Sequence, residues 1–443
     1  MTHPATEAET TGATAGEVVH ADVVVVGAGP GGSATAAWLA QAGRDVVLLE
    51  KSAFPRDKIC GDGLTPRAVR QLMHLGLPTD ETDGWAHNQG LRIIGGGMRL
   101  QLDWPDVDSF PSFGMVRARG DLDERLARHA QSCGARLLER HNVTEPVRDE
   151  TGRVVGVVAK VMNDQGRATG ERVTFRAPVV VASDGVSSRL AVAMGREKRE
   201  DRPMGVAVRA YYETPRHDDP YMESHLELWT KGEDGRDILM PGYGWLFGVG
   251  DGRSNIGLGI LNTSDAFGRT DYKDVMRRWV ASMPQEWGIS EATITGPIKS
   301  AALPMAFNRQ PLYADGLLLV GDSGGMVNPF NGEGIDYALE AGNVAAEVID
   351  EALRASSLAA REAVLQRYAL RMKQMHGGYF RLGAEFAKLI GNPDVMRLAT
   401  KYGLPRTTLM RFLLKLMANL PQERGGGFDD RLINAMTRLA PSA

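Results

Sequence analysis

Two short apolar runs near the N-terminus give the clearest hydrophobic pattern in the chain. Val23–Val26 and Val46–Leu49 are uninterrupted apolar segments, as expected for strands that are buried on both faces. Residues 33–42 between them predict a helix that ends near Gly43. A strand, a helix and a second strand in this order predict a parallel βαβ unit.

Glycines mark the turn between the first strand and this helix. Gly27, Gly29 and Gly32 give the spacing G-x-G-x-x-G. The first allows a tight turn, the second lets a pyrophosphate approach the backbone, and the third lets helix and strand pack closely. Glu50 follows the second strand, where a carboxylate can accept a ribose hydroxyl. The unit therefore predicts a dinucleotide site for NAD or FAD, and the acidic residue disfavours NADP.

Two later apolar runs predict buried strands, and each ends at a loop with a carboxylate. The first loop carries Asp184 and the second carries Asp322. Residues 328–336 then predict a loop that opens a helix extending to Ile349. The free N–H groups of a helix N-terminus suit the N1/C2 carbonyl edge of a flavin, and Asp322 suits a ribityl hydroxyl. A simple NAD dehydrogenase does not need this last segment, so the set favours FAD.

Between these segments the pattern changes to short alternating strands, which are typical of an antiparallel sheet. The N-terminal residues are polar and lack the basic segment of a signal peptide. After Asp350 the pattern is helical. The predicted boundaries are a disordered tail at 1–20, an FAD-binding domain at 21–84, 113–200 and 296–350, a substrate β-sheet domain at 85–112 and 201–295, and a C-terminal helical region at 351–443.

An aromatic row lies in one predicted strand of the sheet region. Tyr243, Trp245 and Phe247 alternate with other residues, so their rings share one face of the strand. Such a row either packs a core or forms the wall of an apolar ligand cavity, and the sequence leaves both possibilities open.

The loop at residues 54–63, called here the Cys60 loop, combines charged residues, a cysteine and two glycines. The glycines allow its backbone to lie against a flat ligand. Arg56 and Lys58 suit a phosphate or a carboxylate, whereas the simpler interpretation is a solvated loop with a small buried cysteine. Arg119 stands at the start of a predicted amphipathic helix, and either reaches a phosphate or is an ordinary surface arginine.

Composition narrows the possible functions. The chain has 443 residues and 43% hydrophobic composition, which suffices for a large core. Its 51 basic and 55 acidic residues give a net charge of −4, so no nucleic-acid partner is predicted. Two cysteines, Cys60 and Cys133, indicate a reducing, cytoplasmic compartment without a disulfide framework. We predict no metal site.

The C-terminal region differs from the rest in charge. From residue 351 onward there are 15 basic and 7 acidic residues, which suggests a surface partner. Residues 407–420 predict a very apolar helix with Arg411 and Lys415 interleaved. At about 21 Å it is too short to cross a bilayer. It either lies in a membrane interface or docks on the protein's own core.

Together these motifs resemble the geranylgeranyl reductase family of flavoproteins. The matching segments are GAGPGG at 27–32, PRDKICGDG at 55–63, Arg119-x-x-Leu122-Asp123, SDG at 183–185, PGYGWLF at 241–247 and VGD…NPFNGEGID at 320–336. CGDGLTPRAV at 60–69 and SHLEL at 224–228 look most similar to the bacterial members that reduce menaquinone by saturating one prenyl double bond. Gly248 is a departure, because many relatives have proline after the aromatic motif, and the local pocket shape depends on it.

The resemblance implies an α/β fold with a Rossmann-type FAD-binding domain of the p-hydroxybenzoate hydroxylase-like superfamily, an inserted antiparallel β-sheet substrate domain and a C-terminal helical region. It also implies a backbone contact from Val143 to the adenine. With the glycine motif, the predicted FAD-binding residues are Gly27, Gly29, Pro30, Gly31, Gly32, Glu50, Lys51, Cys60, Gly61, Gly63, Arg119, Val143, Asp184, Asp322, Gly334 and Ile335.

The implied reaction adds a hydride from reduced FAD and a proton across an isolated alkene in the tail of menaquinone. Such an alkene has no carbonyl to polarise it, so catalysis depends on a dry site, a fixed geometry and an acid. Cys60, Tyr243 and Trp245 are the predicted catalytic residues. Cys60 either donates the proton or packs against the flavin.

Three matters stay open at this stage. The electron donor is NAD(P)H, ferredoxin or a reduced quinone. The substrate is menaquinone, at the inner face of the cell membrane, or alternatively geranylgeranyl diphosphate or another prenyl lipid. The rival classes are a flavin monooxygenase or halogenase of the same superfamily, and a non-catalytic flavin-binding protein.

Overall fold

A computed structural model describes residues 17–231, 235–263, 267–422 and 425–441. The strands are β1 (Val18–His20), β2 (Val23–Val26), β3 (Val46–Leu49), β4 (Gly63–Leu64), β5 (Ala86–Asn88), β6 (Gly90–Gly95), β7 (Met98–Asp103), β8 (Gly114–Val116), β9 (Arg136–Leu138), β10 (His141–Arg148), β11 (Val154–Met162), β12 (Ala168–Arg176), β13 (Val179–Ala182), β14 (Met204–Glu213), β15 (Tyr221–His225), β16 (Trp229–Lys231), β17 (Asp237–Leu239), β18 (Gly242–Gly248), β19 (Arg253–Leu261), β20 (Lys299–Pro304), β21 (Tyr313–Ala314) and β22 (Leu317–Leu319).

The α-helices are α1 (Pro30–Gln41), α2 (Pro66–Leu75), α3 (Arg119–Ser132), α4 (Arg189–Ala193), α5 (Tyr272–Ala281), α6 (Ile335–Leu353), α7 (Leu358–Leu365), α8 (Arg367–Ile390), α9 (Pro393–Leu398), α10 (Thr407–Met417) and α11 (Phe428–Leu439).

The apolar runs of the sequence form the centre of a six-stranded sheet with the order β21-β22-β13-β2-β3-β9. All residues of β2, β3 and β13 are buried, and these strands pair in parallel with one another, with β9 and with β22. Helices α1, α3 and α6 pack together beside the sheet, because their small and aliphatic residues share one hydrophobic core with it. This confirms the α/β fold with a Rossmann-type unit.

A second sheet of four strands has the order β1-β12-β11-β10. β11 and β12 form an antiparallel hairpin. β1 pairs in parallel with β12, with Val18 opposite Thr174. Residues 18–20 are therefore a strand, and the prediction of a disordered tail is wrong for these three residues. Residues 1–16 of that tail lie outside the described part of the chain.

A third sheet of seven strands carries the aromatic row and has the order β20-β14-β19-β18-β15-β6-β7. Its pairs are antiparallel except for β15 with β6. Helix α5 covers one face through a core that includes Val208, Leu246 and Val275. The three-stranded sheet β4-β8-β5 begins directly after the Cys60 loop and joins it to this region.

The helices after α6 pack on the core of the six-stranded sheet and on a core of the seven-stranded sheet. α8 contributes Tyr368, Tyr379 and Phe380 to the main core, where all three are buried. α10 contributes Met410 and Leu414 to a core shared with the seven-stranded sheet. Among the residues that the structure describes, no helix has the length and apolar content needed to cross a bilayer.

Candidate cofactor and active site

The glycine turn between β2 and α1 is shaped by close backbone contacts. Gly27 has a φ of +98°, and a Cβ there would lie 2.3 Å from the carbonyl oxygen of Ser183. A Cβ at Gly32 would lie 1.8 Å from the carbonyl oxygen of Gly27, and one at Gly31 would lie 2.8 Å from Val320. These three positions therefore exclude any side chain on packing grounds.

Gly29 differs from its neighbours, because the nearest protein atom to a Cβ there would be the Arg56 Nη2, at 3.9 Å. The protein itself leaves room for a side chain at this position. An open space beside the turn is what a pyrophosphate requires in order to approach the backbone. A glycine at position 29 is therefore explained by a dinucleotide contact and not by protein packing.

Two helix N-termini lack a capping side chain. Gly29 precedes Pro30 at the start of α1, and Gly334 precedes Ile335 at the start of α6, and neither glycine can cap. The N–H groups of a first turn need partners and carry a partial positive charge. A pyrophosphate at α1 and a flavin carbonyl at α6 would supply such partners. These residues fit FAD.

Glu50 connects the glycine turn to the Cys60 loop. Its carboxylate accepts hydrogen bonds from the backbone N–H of Ala28 at 3.2 Å and of Ser52 at 3.1 Å, and it pairs with Arg56 at 3.2 Å. The neighbouring Lys51 is exposed. Glu50 thus lies at the turn, as the sequence predicts.

Val143 lies on β10, a strand that begins beside Glu50. His141, the first residue of β10, donates its backbone N–H to the carbonyl oxygen of Glu50 at 2.8 Å. Val143 is buried two residues further on. Val143 and Glu50, the predicted adenine and ribose contacts, therefore lie on neighbouring segments of the chain.

Asp123 is a fully buried carboxylate held between two guanidinium groups. Arg119 donates to it from Nε at 2.6 Å and from Nη2 at 2.7 Å, and Arg56 donates from Nη1 at 2.6 Å. Burial disfavours the charge, but the two arginines outweigh it and hold the pKa of Asp123 below its ordinary value.

Arg119 is 5% exposed, so the interpretation as an ordinary surface arginine is wrong. It starts α3 at the edge of the Cys60 loop, and the thiol of Cys60 is one of the groups that raise its pKa. Burial is the largest single influence and lowers the pKa of Arg119, but the charges and hydrogen bonds of Asp123 and Cys60 together exceed it. The guanidinium thus forms a salt bridge with Asp123 and lies against Cys60.

The Cys60 loop also reaches the two acidic turns of the six-stranded sheet. Lys58 Nζ pairs with Asp322 at 3.0 Å and would lie 3.9 Å from a Cβ at Gly185. Asp184 Oδ1 is buried without a hydrogen-bond partner, and burial raises the pKa of this carboxyl. Three segments that are distant in sequence, near residues 58, 184 and 322, therefore meet, and together with the glycine turn they are called here the cofactor groove.

The aromatic row lies directly against the Cys60 loop. Neighbouring ring centroids are 6.2 Å apart for Tyr243 and Trp245, and 6.4 Å apart for Trp245 and Phe247. A Cβ at Gly61 would lie 3.3 Å from Phe247 and 3.4 Å from Trp245, and one at Gly63 would lie 2.7 Å from Met222. The structure thus brings the predicted catalytic residues Cys60, Tyr243 and Trp245 into one place.

Tyr243 is anchored at its far end, because its hydroxyl donates to the carbonyl oxygen of Asn331 at 2.6 Å. Asn331 belongs to the loop before α6, and that loop is tied to α2 by the Thr65 hydroxyl, which donates to Glu333 at 2.6 Å. Burial, aided by Glu333, raises the pKa of Tyr243, so its hydroxyl stays protonated. The row therefore spans from the seven-stranded sheet to the start of α6.

Two polar residues of the site were not predicted to have a role. Asp62 is fully buried with a φ of +66°, and its Oδ2 accepts from the Tyr211 hydroxyl at 2.6 Å and from Asn255 Nδ2 at 2.8 Å. Burial raises the pKa of Asp62 to about 6, against the effect of both donors. One signal for Asn255 exists: it alternates with Gly257 and Gly259 in a strand beside the aromatic row.

The comparisons with known proteins agree with this geometry. A family model described as an FAD binding domain matches residues 20–375, so the chain is an FAD-dependent flavoprotein. The menaquinone reductase of Mycobacterium tuberculosis is 37% identical over 424 residues, which cover 94% of this chain and 97% of that protein. Digeranylgeranylglycerophospholipid reductase 1 of Methanopyrus kandleri is 30% identical, over 84% of this chain and 92% of its own.

A solved structure, a geranylgeranyl bacteriochlorophyll reductase-like protein from Thermoplasma acidophilum, superposes with a TM-score of 0.74. It is 22% identical and covers 95% of this chain and all of its own, so it supports the fold. The chain belongs to the geranylgeranyl reductase family of FAD-dependent oxidoreductases.

Two glycine substitutions should separate cofactor binding from folding. We expect Gly29→Ala to change the free energy of unfolding of the FAD-free protein by less than about 0.5 kcal/mol, but to raise the Kd for FAD at least about tenfold. We expect Gly32→Ala to prevent folding, because its Cβ would lie 1.8 Å from a carbonyl oxygen. Equal FAD affinity in Gly29→Ala and wild type, measured by fluorescence titration, would contradict this account.

Asp62 should make stability depend on pH. Its pKa is about 6 in the folded protein against 3.8 ordinarily, so the folded state binds more protons between these values. Stability should therefore fall as pH rises through that window, by up to roughly 3 kcal/mol. Denaturant unfolding at several pH values should show this slope in wild type and a smaller slope in Asp62→Asn. The exposed Asp108→Asn is the control, and its slope should equal that of wild type.

Proposed function

We propose that the protein saturates an isoprenoid C=C bond in the prenyl tail of menaquinone. The observation that carries this proposal is the aromatic row lying against the Cys60 loop, so close that a Cβ added at Gly61 would lie 3.3 Å from Phe247 and 3.4 Å from Trp245. An isolated alkene offers no hydrogen-bonding group, so it must be held by apolar surface beside the reducing cofactor. A relative named menaquinone reductase, 37% identical over nearly the whole chain, supports the same substrate.

The chain's own residues have separate tasks in this proposal. The N-terminus of α1 beside Gly29 would hold the pyrophosphate, Glu50 would hold the ribose and Asp322 the ribityl chain. Gly334 and Ile335 would contact the flavin. When bound, reduced FAD supplies the hydride. The seven-stranded sheet acts as the substrate domain: its aromatic row holds the alkene flat and excludes water.

Cys60 either supplies the proton or packs against the flavin. If the thiol is the acid, Cys60→Ser should lower kcat by about 10²–10⁴-fold with little change in the Kd for FAD. If Cys60 packs, Cys60→Ser should keep nearly normal turnover. Stopped-flow turnover with reduced enzyme distinguishes these outcomes, and Cys133→Ser, which changes a cysteine at the C-terminal end of α3, is the matched control.

We propose that the C-terminal region contacts the cytoplasmic face of the cell membrane. Large apolar side chains are exposed there, among them Phe428 at 81% and Leu439 at 85%. Arg406, Arg411, Leu409 and Phe428 surround an open depression of about 950 Å³. Apolar anchors beside arginines suit an interface with anionic lipid. Menaquinone resides in the membrane, so its reductase must meet that surface.

Only one face of α10 is available for this membrane contact. Lys415 is 7% exposed and pairs with Asp429 at 2.9 Å and with Asp430 at 2.7 Å, so its charge is unavailable to lipid. Met410 and Leu414 are buried against the core. One face of α10 therefore docks on the protein, and the other face, with Leu409 and Arg411, remains exposed.

Substitutions on the exposed face should release the protein from anionic vesicles. We expect the variant Arg406→Gln, Arg411→Gln, Phe428→Ser to lose at least about 2 kcal/mol of binding, which is roughly 30-fold in the partition coefficient. Cosedimentation with phosphatidylglycerol vesicles measures it. Val192→Ser, which changes an exposed valine of α4 outside the C-terminal region, is the control and should bind like wild type. Unchanged cosedimentation of the triple variant would refute the membrane contact.

Mass spectrometry of cellular lipids tests the proposed reaction. Cells that lack the protein should accumulate menaquinone lighter by two hydrogen atoms, and restoring the gene should reverse this shift. A change in prenyl diphosphates or polar lipids with unchanged menaquinone would instead support the prenyl-lipid alternative. No change in any of them would contradict a prenyl reductase and favour an oxygen-activating flavoprotein.

A further inference from the structure

The Trp245 ring packs against two glycines of the neighbouring strand β19. A Cβ at Gly257, its partner across β18 and β19, would lie 2.4 Å from Trp245 Cζ2, and one at Gly259 would lie 3.8 Å from Cζ3. The absence of side chains at these positions lets the indole lie flat along the sheet. The backbone of β19 thus limits the orientation of the indole ring, and the ring's Nε1 is directed toward residue 255.

Asn255 is a fully buried amide whose donor and acceptor sides serve different segments. Its Oδ1 accepts from Trp245 Nε1 at 2.8 Å. Its Nδ2 donates to the carbonyl oxygen of Cys60 at 2.8 Å and to Asp62 Oδ2 at 2.8 Å. A single side chain therefore joins the aromatic row of the substrate sheet to the backbone of the Cys60 loop.

The backbone that Asn255 holds is in an uncommon conformation. Asp62 has a φ of +66°, a value that residues other than glycine adopt infrequently. The Tyr211 hydroxyl adds a second anchor on Asp62 at 2.6 Å. Such conformations persist when the surroundings over-determine them, and they often occur at functional sites. The position of Cys60 in the groove thus depends on contacts from the opposite sheet.

We propose that Asn255 is a positioning residue, which sets the separation and tilt between the Trp245 ring and the Cys60 loop. This inference rests on the proposed function, in which the alkene lies between that ring and the flavin. An amide is required, because it accepts from an indole and donates to a carbonyl oxygen at once. Aspartate would offer two acceptors and would repel Asp62, whereas leucine would offer neither donor nor acceptor.

The chain contains a matched control for this interaction. Trp104 Nε1 donates to Asn88 Oδ1 at 2.8 Å, and both residues are buried. The pair has the same chemistry and distance as Trp245 with Asn255, but Asn88 Nδ2 has no hydrogen-bond partner among the described residues. The loss of an indole–amide hydrogen bond alone should therefore appear at both asparagines, whereas an effect on the Cys60 loop should appear only at Asn255.

The experiment compares Asn255→Leu and Asn88→Leu in the FAD-loaded protein. Four properties are measured: the unfolding midpoint, the steady-state kinetics (kcat and KM) with menaquinone, the visible absorption of bound FAD, and the maleimide labelling rates of Cys60 and Cys133. For Asn255→Leu we expect a kcat lower by about 10–100-fold with a smaller change in KM, a shifted flavin absorption, and faster labelling of Cys60 alone. Asn88→Leu should lower the unfolding midpoint and leave the other three quantities unchanged.

Equal changes in the two variants would overturn the proposal, and so would wild-type flavin absorption and Cys60 labelling in Asn255→Leu. If Asn255→Leu does not fold, Asn255→Asp preserves the volume and should give the same flavin and labelling changes. If the wild-type protein does not reduce menaquinone, the proposed function fails. The flavin absorption and labelling rates then still decide the role of Asn255, because neither requires turnover.

Discussion

The pairing of Asp123 with two arginines is the constraint on which the cofactor groove depends. Asp123 on α3 is fully buried and bonds to Arg119 of the same helix and to Arg56 of the Cys60 loop. Arg56 also reaches Glu50 at the end of β3. Removing one partner of such a buried set leaves an uncompensated charge, at a cost of roughly 3–5 kcal/mol. The helix, the loop and the glycine turn are therefore fixed relative to one another.

The sequence predicts the Rossmann part of this site well, because its determinants are local. Apolar runs predict β2 and β3, glycine spacing predicts the turn, and Glu50 follows at the expected distance. Asn255 could not be assigned in the same way. Its partners Cys60 and Asp62 are about two hundred residues away. The role of a polar residue in a strand cannot be predicted until the loop that faces it is known. Residues 18–20 were predicted wrongly, and the sequence left two roles open for Arg119, because strand pairing and burial are tertiary properties.

Hydrogen bonds to the loop before α6 link the aromatic row and the C-terminal helices. Asn328, in the loop before α6, donates to the Tyr379 hydroxyl at 3.2 Å and to the carbonyl oxygen of Met417 at 3.0 Å. Met417 ends α10, whose outer face carries the proposed membrane contact. The surface that would meet a lipid-borne substrate is thus hydrogen-bonded to the loop that would hold the flavin edge. This arrangement suits a substrate whose tail must pass from a bilayer to a flavin.

An anaerobic single-turnover reaction tests the central claim most directly. The purified FAD-loaded protein is reduced, mixed with menaquinone in detergent or vesicles, and followed by flavin absorption and by mass spectrometry of the quinone tail. The account predicts that the flavin is reoxidised while one double bond of the tail gains two hydrogen atoms. Flavin reoxidation that leaves every tail double bond intact, with electrons passing to the quinone ring or to added oxygen, would contradict it.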